Sequence, residues 1–298
     1  MTTSSGILFG IAAALVQSFS YVFSRMFMVK FPGSAVVLLA VSHVIMGLFS
    51  LLVLRIFWPP EPPAVSSYWL PVAGTVFFYL SAQICFFFAL RHSDASRVSP
   101  LLGLKILFIA LISSAALGER FSSLQMLAIG FSLGAAGLLS WSEGVILWDS
   151  LIWVVGTCFG YSLSDVCVRE VIRSFEYLGL FRGAVVSAGL CYSVCGMIGA
   201  GLLFTVPRPS KAVWSNALPF SVTWFTAMLF LFASFASIGI VYGNIIQSTR
   251  GVISVLLGVL ISVAGHVHLE EKMTTMMLIK KSGAALLMIG AIVLYYMG

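Results

Sequence analysis

Charged residues are scarce in this chain of 298 residues, since Asp, Glu, Lys and Arg together supply only 9% of it. Hydrophobic residues supply 60%, and the mean hydropathy is +1.07. A domain in water needs far more polar surface to cover its core, so this composition excludes a water-soluble fold and predicts that the solvent is lipid. The net charge of +6 indicates attraction to a membrane surface, or a field that favours an anionic cargo, rather than a nucleic-acid partner.

Long polar stretches are also missing, so we expect no soluble domain, no signal peptide and no low-complexity tail. A helix that crosses the ~30 Å hydrocarbon layer needs roughly 20 apolar residues. Ten such spans fit between the polar breaks, which predicts an all-α polytopic membrane protein. The predicted spans cover residues 6–29, 35–57, 68–91, 97–118, 122–141, 147–172, 178–204, 216–243, 250–269 and 274–297.

Motifs for metal, cofactor or nucleotide chemistry are absent from the sequence. The five cysteines fall inside predicted spans without metal-like spacing, and the run from His266 to Glu271 lacks the His-Glu-x-x-His spacing of a zinc site. There is no Gly-x-x-x-x-Gly-Lys loop to hold a nucleotide phosphate, so any transport would be driven by gradients. We expect no metal and no cofactor. An enzyme is disfavoured, because the spans carry no paired nucleophile and base.

The sequence repeats itself once. Ser18 matches Ser162 at an offset of 144 residues, and Arg25 matches Arg169 at the same offset. Each half also ends its fourth span at a short charged corner, ahead of a glycine-rich apolar span. A duplicated membrane unit is typical of a transporter more often than of an enzyme.

Five spans per half is an odd number, so the second repeat (146–298) is predicted to lie upside down relative to the first (1–145). Two inverted bundles of similar shape can exchange conformations, which turns an inward-open cavity into an outward-open one around a site near the bilayer midplane. This pattern predicts alternating access. A duplicated scaffold without a transport pathway is the alternative.

The first half resembles a known family. The run from Ala89 to Pro100, the following apolar span, the corner Leu117–Arg120 and the pair Leu124–Gln125 look like the EamA-type repeat of the drug/metabolite transporter superfamily. The second copy departs from that pattern, with Gly251–Val252 in place of the Ser-Pro pair and Glu270–Lys272 in place of Gly-Glu-Arg.

This resemblance implies ten helices as a five-plus-five inverted repeat, with cytoplasmic termini. It implies a central cavity lined mainly by the first, third, fourth, sixth, eighth and ninth spans. Such proteins move amino acids, nucleotide sugars, phosphorylated sugars, cations or other metabolites, so the fold does not select a cargo. The distribution of lysine and arginine opposes the implied orientation, because more of them fall on the side opposite the amino terminus.

Lys105 lies eight residues into the fourth span, between Leu104 and Ile106, with no carboxylate at helical spacing. A charge in the hydrocarbon layer costs at least ~2.5 kcal/mol on insertion scales. We predict that its ammonium faces a cavity and binds an anionic group of the cargo. Snorkelling to the interface and pairing with a carboxylate on another helix are the alternatives. The equivalent place in the second half is expected near Leu257 and Gly258, which are uncharged.

Polar residues occupy matched places in the first and sixth spans. Gln17 corresponds to Tyr161 and Tyr21 to Asp165, and residues four apart share a helix face. We predict that Gln17, Tyr21 and Tyr161 face the cavity, although hydrogen bonding between helices is an alternative. Asp165 is expected to form an ion pair with Arg169 within its helix. The alternative is that Asp165 receives a cargo amine or a coupling proton.

Four further polar residues are candidates. Tyr79 and Gln83 repeat the four-residue spacing in the third span, and Asn244 belongs to a polar cluster between the eighth and ninth spans that is either part of the site or a solvated loop. His43 follows Ser42 in an otherwise apolar run, where a lone histidine is more often a hydrogen-bonded packing residue than a proton carrier.

The sequence therefore predicts a secondary transporter of the inner membrane, a monomer or homodimer, that moves a small anionic or zwitterionic metabolite such as an amino acid. Export is one plausible form. The alternatives are a carrier for a cationic compound that uses Asp165, a membrane-embedded enzyme and a non-transporting scaffold. The predicted substrate-binding residues are Lys105, Gln17, Tyr21, Tyr79, Gln83, Tyr161, Asn244, Asp165 and His43.

Overall fold

A computed structural model describes residues 3–92, 98, 101–142, 148–263 and 275–298. Within these ranges the chain is helical, with short connections and no strand. A 3₁₀ turn, Leu102–Leu104, leads into α4. The helices are α1 (Thr3–Lys30), α2 (Ala35–Phe57), α3 (Val65–His92), α4 (Lys105–Leu117), α5 (Ser123–Ser142), α6 (Trp148–Ser174), α7 (Leu180–Leu202), α8 (Lys211–Ile238), α9 (Ile240–Gln247), α10 (Arg250–Val263) and α11 (Thr275–Met297).

Six of these helices, α1, α2, α3, α6, α7 and α8, are long and apolar enough to cross a membrane. The apolar segments Leu102–Ala115, Ser123–Leu138 and Ser282–Met297 are shorter. Large apolar side chains stand exposed along the outside of the bundle, such as Leu48 at 60%, Phe77 at 66% and Leu286 at 70% exposure. Because lipid tails are as apolar as these side chains, such an exterior is stable in a bilayer.

The boundary between the eighth and ninth predicted spans was wrong. The eighth helix ends at Ile238, five residues before the predicted end, and Gly239 follows with a φ of +80°. This left-handed conformation breaks the helix, and side chains with a Cβ seldom adopt it. Residues 240–247 then form α9 instead of the end of α8. The ninth predicted span, 250–269, begins with α10, and Ser248 and Thr249 separate α10 from the additional short helix α9.

Four long helix pairs build the bundle. α1 packs along α8, α3 along α6, α2 along α7, and α5 along α11. The two central helices, α2 and α7, approach closely at Gly47 and Gly196, where a Cβ added to Gly47 would lie 2.7 Å from the Cα of Gly196. Small residues allow such close approach in membrane bundles. The shorter helices close the remaining sides, with α4 against α6 and with α9 and α10 against α1.

The two ends of the bundle can be told apart by their contacts. At the end that we call the near end, Tyr177 donates a hydrogen bond to the carbonyl of Glu61 at 2.8 Å, joining the α6–α7 and α2–α3 connections. At the opposite or far end, Lys30 donates to Asn216 at 3.0 Å and joins the end of α1 to the start of α8. The residues 264–274, which include the expected Leu269–Lys272 corner and the run from His266, lie outside the described ranges, as do 93–97, 99 and 100.

Fully buried aromatic side chains fill the half of the bundle toward the far end. The ring centroids of Tyr21 and Phe86 lie 5.2 Å apart, and those of Phe220 and Trp224 lie 5.6 Å apart. Their rings pack against one another in that half of the bundle. We call this set the aromatic block, and its members are Tyr21, Phe27, Phe86, Phe87, Phe220 and Trp224.

Candidate functional site

A small cavity of about 40 Å³ lies in the middle of the bundle. It is lined by α1, α3, α4, α6, α8, α9 and α10, which correspond to the six implied spans, and also by α7, which was not expected. We call it the central cavity, and its lining residues are Gln17, Thr75, Tyr79, Lys105, Tyr161, Ser164, Asp165, Val168, Cys191, Tyr192, Cys195, Trp224, Met228, Leu231, Phe232, Gln247 and Arg250.

Lys105 and Asp165 form a buried ion pair at the wall of this cavity. The Lys105 ammonium lies 2.6 Å from Oδ2 of Asp165, and the two residues are only 5% and 7% exposed. Asn244 donates a second hydrogen bond to the same carboxylate oxygen at 2.7 Å. The ammonium also lies 5.5 Å from the ring centroid of Tyr161. Lys105 thus lines the cavity as predicted, but its charge already has a partner on another helix.

Asp165 does not form the predicted ion pair with Arg169. Its carboxylate points into the bundle toward Lys105, whereas Arg169 lies one turn nearer the near end and pairs with Glu119 at 3.3 Å. Residues four apart do share a face of the helix, but the side chains of Asp165 and Arg169 have different environments. Asp165 is buried, and the side chain of Arg169 is 33% exposed.

Arg250 begins α10 and is buried, with 4% of its surface exposed. Its Nη1 donates to Oε1 of Gln17 at 3.1 Å, and Gln247 donates to the same oxygen at 2.8 Å. The guanidinium carbon lies 5.8 Å from the ring centroid of Tyr21. Among the described residues, its Nε has no hydrogen-bond partner and no carboxylate lies within ion-pair distance of the guanidinium. The polar cluster at this turn is therefore buried rather than a solvated loop.

Two matching hydrogen bonds relate Arg250 to Lys105. Ser18 donates to the carbonyl of Arg250 at 3.3 Å, and Ser162 donates to the carbonyl of Lys105 at 3.2 Å. Because Ser18 and Ser162 are equivalent in the sequence repeat, Arg250 occupies the place that Lys105 occupies in the other half. The expectation of an uncharged equivalent near Leu257 was wrong. The sequence contained the necessary signal, since adding 144 to 105 leads to Thr249, one residue before Arg250.

Four of the candidate residues form one chain of hydrogen bonds. Tyr161 donates to Oε1 of Gln83, and Gln83 donates to the hydroxyl of Tyr79 at 3.2 Å. Nδ1 of His43 lies 2.7 Å from the carbonyl of Leu39, which assigns the ring proton to Nδ1. Nε2 of His43 therefore accepts from Tyr79 at 3.1 Å. Only Tyr79 and Tyr161 of this chain line the central cavity, while His43 and Gln83 support them from behind.

The remaining candidates also divide into lining and supporting residues. Gln17 lines the cavity and is the acceptor for Arg250, whereas Tyr21 lies beneath the guanidinium as part of the aromatic block. Asn244 holds Asp165 from outside the lining. The candidate residues thus lie at the cavity wall or behind it, as residues of a binding site must. Their role in substrate binding stays a prediction.

Sequence reasoning missed two aromatic lining residues. Trp224 donates to the hydroxyl of Tyr192 at 3.0 Å, and the ring of Tyr192 lies 5.5 Å from that of Tyr79. Tyr192 and Trp224 have no polar residue four positions away in the sequence, so the four-residue pattern that located Tyr79 gave no signal for them.

A second depression, of about 280 Å³, opens at the near end. Arg169, Arg173 and Glu176 of the α6 end and Phe235 of α8 belong to its wall. Val168, which lines the central cavity, is the chain neighbour of Arg169. The central cavity and this depression thus meet consecutive residues of α6.

Comparisons with known proteins agree with this architecture. Residues 4–141 match the EamA-like transporter family, which confirms the resemblance to the drug/metabolite transporter superfamily found in the sequence. A solved structure titled "Crystal structure of protein" superposes with a TM-score of 0.64 over 98% of this chain and 96% of that chain. At 16% identity, that likeness shows the fold alone. No curated protein sequence matches the chain.

Proposed function

From a first half that belongs to the EamA-like transporter family, in a multi-pass membrane protein, we propose a secondary transporter that works by alternating access. Its cargo is a small anionic or zwitterionic metabolite. The central cavity carries this proposal, because it places two cationic side chains and one carboxylate in the middle of a bundle whose exterior is apolar. Ionisable residues at such depth are costly and usually serve a transport pathway.

The charges that line the cavity favour an anionic group on the cargo. Lys105 and Asp165 neutralise each other, and Arg250 adds one uncompensated positive charge. This balance also works against the alternative of a cationic cargo at Asp165, because an incoming amine would have to displace Lys105 from a 2.6 Å contact. Lining hydroxyl, amide and aromatic groups provide hydrogen bonds and stacking surfaces for the rest of the molecule.

Matched helix contacts support a five-plus-five inverted repeat, with units 1–145 and 146–298. α1 packs on α8 as α6 packs on α3, and α2 packs on α7, its own counterpart. The paired serine hydrogen bonds extend this correspondence to single residues. In such repeats the two halves can exchange conformations around a fixed site. In one of these two states, the packed aromatic block closes the far end.

The inner membrane and cytoplasmic termini belong to this proposal through the family resemblance. The protein would act as a monomer or homodimer. With the near end cytoplasmic, the aromatic block lies on the outer side of the cavity.

Transport is tested with purified protein in liposomes. Compounds are first screened for a rise in the unfolding temperature, because a ligand that binds only the folded state stabilises it. Those that act are then followed as labelled compounds in counterflow against empty liposomes. We expect at least one acid or zwitterion to accumulate transiently in counterflow. Stabilising compounds that never cross the membrane would contradict the proposal and favour the scaffold.

A further inference from the structure

The strongest unassigned feature of the cavity is the charge of Arg250. We propose that Arg250 receives the carboxylate of the cargo, and that the cargo is a small monocarboxylate with an apolar or aromatic body and no ammonium group. This inference rests on the proposed transport function and narrows its substrate class. It moves the predicted anion partner from Lys105 to Arg250.

The first argument is the contrast between equivalent cations. Lys105 has a carboxylate at 2.6 Å and a supporting amide on that carboxylate. Arg250 has one amide oxygen, which it shares with Gln247, and the face of a tyrosine ring. A guanidinium binds a carboxylate through two parallel hydrogen bonds, which a single shared amide oxygen cannot reproduce.

The sequence repeat shows which group is missing beside Arg250. Asp165 neutralises Lys105, and its equivalent at the offset of 144 is Tyr21. Where one half supplies a carboxylate, the other supplies an aromatic ring. The carboxylate of the cargo would therefore pair with Arg250 beside Tyr21, as the carboxylate of Asp165 pairs with Lys105.

The burial of Arg250 makes the lack of a carboxylate partner among the described residues energetically important. Only 4% of the surface of Arg250 is exposed to solvent, yet its Nε has no hydrogen-bond partner among the described residues. An unpaired buried charge is costly, so a ligand that pairs with it gains more than it would at a surface. The side chain also lines the central cavity and is therefore accessible to a ligand there.

The rest of the lining defines the body of the cargo. Tyr79, Tyr161, Tyr192 and Trp224 supply aromatic surface around the cavity. Asp165 is the one carboxylate among the described lining residues, and Lys105 and Asn244 already occupy it. The ammonium group of a cargo would find no unoccupied carboxylate among the described lining residues. This disfavours an amino acid relative to the corresponding acid without the amino group.

The test uses four probes with one ring and different charges: phenylacetate, phenylalanine, phenethylamine and 2-phenylethanol. The unfolding temperature of the purified protein is measured against concentration for each. We expect phenylacetate to stabilise the wild-type protein most. In Arg250→Gln its apparent affinity should fall about 10- to 100-fold, the range for losing hydrogen bonds to a charged group. Arg55→Gln, which removes an exposed arginine outside the cavity, should bind as the wild type does.

Gln17→Glu keeps the test decisive if Arg250→Gln fails to fold. This nearly isosteric change gives Arg250 a built-in carboxylate at the position of Oε1, now 3.1 Å away. The protein should remain folded but lose phenylacetate binding. Equal phenylacetate binding by Gln17→Glu and the wild type would overturn the inference. So would stabilisation by phenylalanine or phenethylamine alone, or no response to phenylacetate.

Uptake separates this inference from the transport function. If phenylalanine or phenethylamine is transported and Arg250→Gln transports it equally well, the anion site is wrong while the transporter stands. If phenylacetate binds through Arg250 but neither it nor any other stabilising compound crosses the membrane, the anion site stands and the transporter fails.

Discussion

Lys105 and Arg250 hold equivalent positions in the two halves of the bundle but have different partners. A serine from the equivalent helix hydrogen-bonds to the carbonyl of each, at 3.2 Å for Lys105 and 3.3 Å for Arg250. Among the described residues, a carboxylate lies beside Lys105 but not beside Arg250. The two hydrogen bonds match while the charges beside them do not, which makes the central cavity asymmetric in its electrostatics.

The Lys105–Asp165 pair should be important for stability. Replacing Lys105 with Ala leaves the Asp165 carboxylate buried without its cation, and breaking a buried pair in this way typically costs about 3–5 kcal/mol. We expect a large fall in unfolding temperature for Lys105→Ala. The double variant Lys105→Met, Asp165→Leu should recover much of the loss because it removes both charges.

The double variant is also the control for this prediction. If Lys105→Ala and the double variant are equally unstable, packing rather than charge accounts for the effect. If Lys105→Ala is as stable as the wild type, the ion pair does not contribute in the membrane protein.

The close approach of α2 and α7 should make Gly47 intolerant of a side chain. A Cβ there would lie 2.7 Å from the Cα of Gly196, a backbone atom that cannot move alone. Gly47→Ala should force the helices apart and reduce the unfolding temperature. Gly130→Ala is the matched control, since a Cβ there meets no atom within 4 Å. The control should be neutral or slightly stabilising, because alanine favours a helix over glycine by about 1 kcal/mol.

The result to look for is a difference between these two glycine variants in one detergent. Equal unfolding temperatures would mean that α2 and α7 can separate without cost, and the central contact would not be structural.

The hydroxyl of Tyr79 should be needed by both of its neighbours. Tyr79→Phe leaves the ring in place but removes the donor to His43 and the acceptor for Gln83. An unsatisfied buried polar group costs about 1–3 kcal/mol, so this single oxygen should produce a measurable loss of stability. Tyr296→Phe is the control, because Tyr296 is 64% exposed and should be indifferent. A stable Tyr79→Phe protein would show that His43 and Gln83 find other partners.

Several features of the fold followed from the sequence because lipid imposes them. Membrane thickness predicted the second span, 35–57, at its observed bounds, Ala35–Phe57. The break at Gly239 could not be predicted in the same way, since Ile238 and Ile240 keep the hydropathy high on both sides. Only the backbone conformation at Gly239 separates the helices.

The site was predicted less completely than the fold. Helical spacing finds partners within one helix, which is why Gln17 and Tyr79 were identified. The same rule paired Asp165 with Arg169. It could not identify Lys105 as the partner of Asp165, because Lys105 lies 60 residues earlier in the chain on another helix. Spacing also gives no signal for a single aromatic residue such as Trp224.

The exposed pair Glu119–Arg169 should affect transport more than stability. It joins the connection between α4 and α5 to α6 at the near end, with side chains 29% and 33% exposed. A pair exposed to this degree contributes about 0.2–1 kcal/mol, so Glu119→Gln should barely change the unfolding temperature. Arg169 borders the near-end depression, however, and a tie between the halves there opposes opening.

Removing that tie should raise the uptake rate by at most about fivefold, the factor that corresponds to 1 kcal/mol. The control is Glu170→Gln. It breaks the ion pair between Glu170 and Arg173, which lies within α6 and does not link the two halves. High salt should reduce the difference between wild type and Glu119→Gln, because screening weakens an exposed pair. Equal uptake rates for Glu119→Gln, Glu170→Gln and the wild type at low salt would show that the near end does not open between α4 and α6.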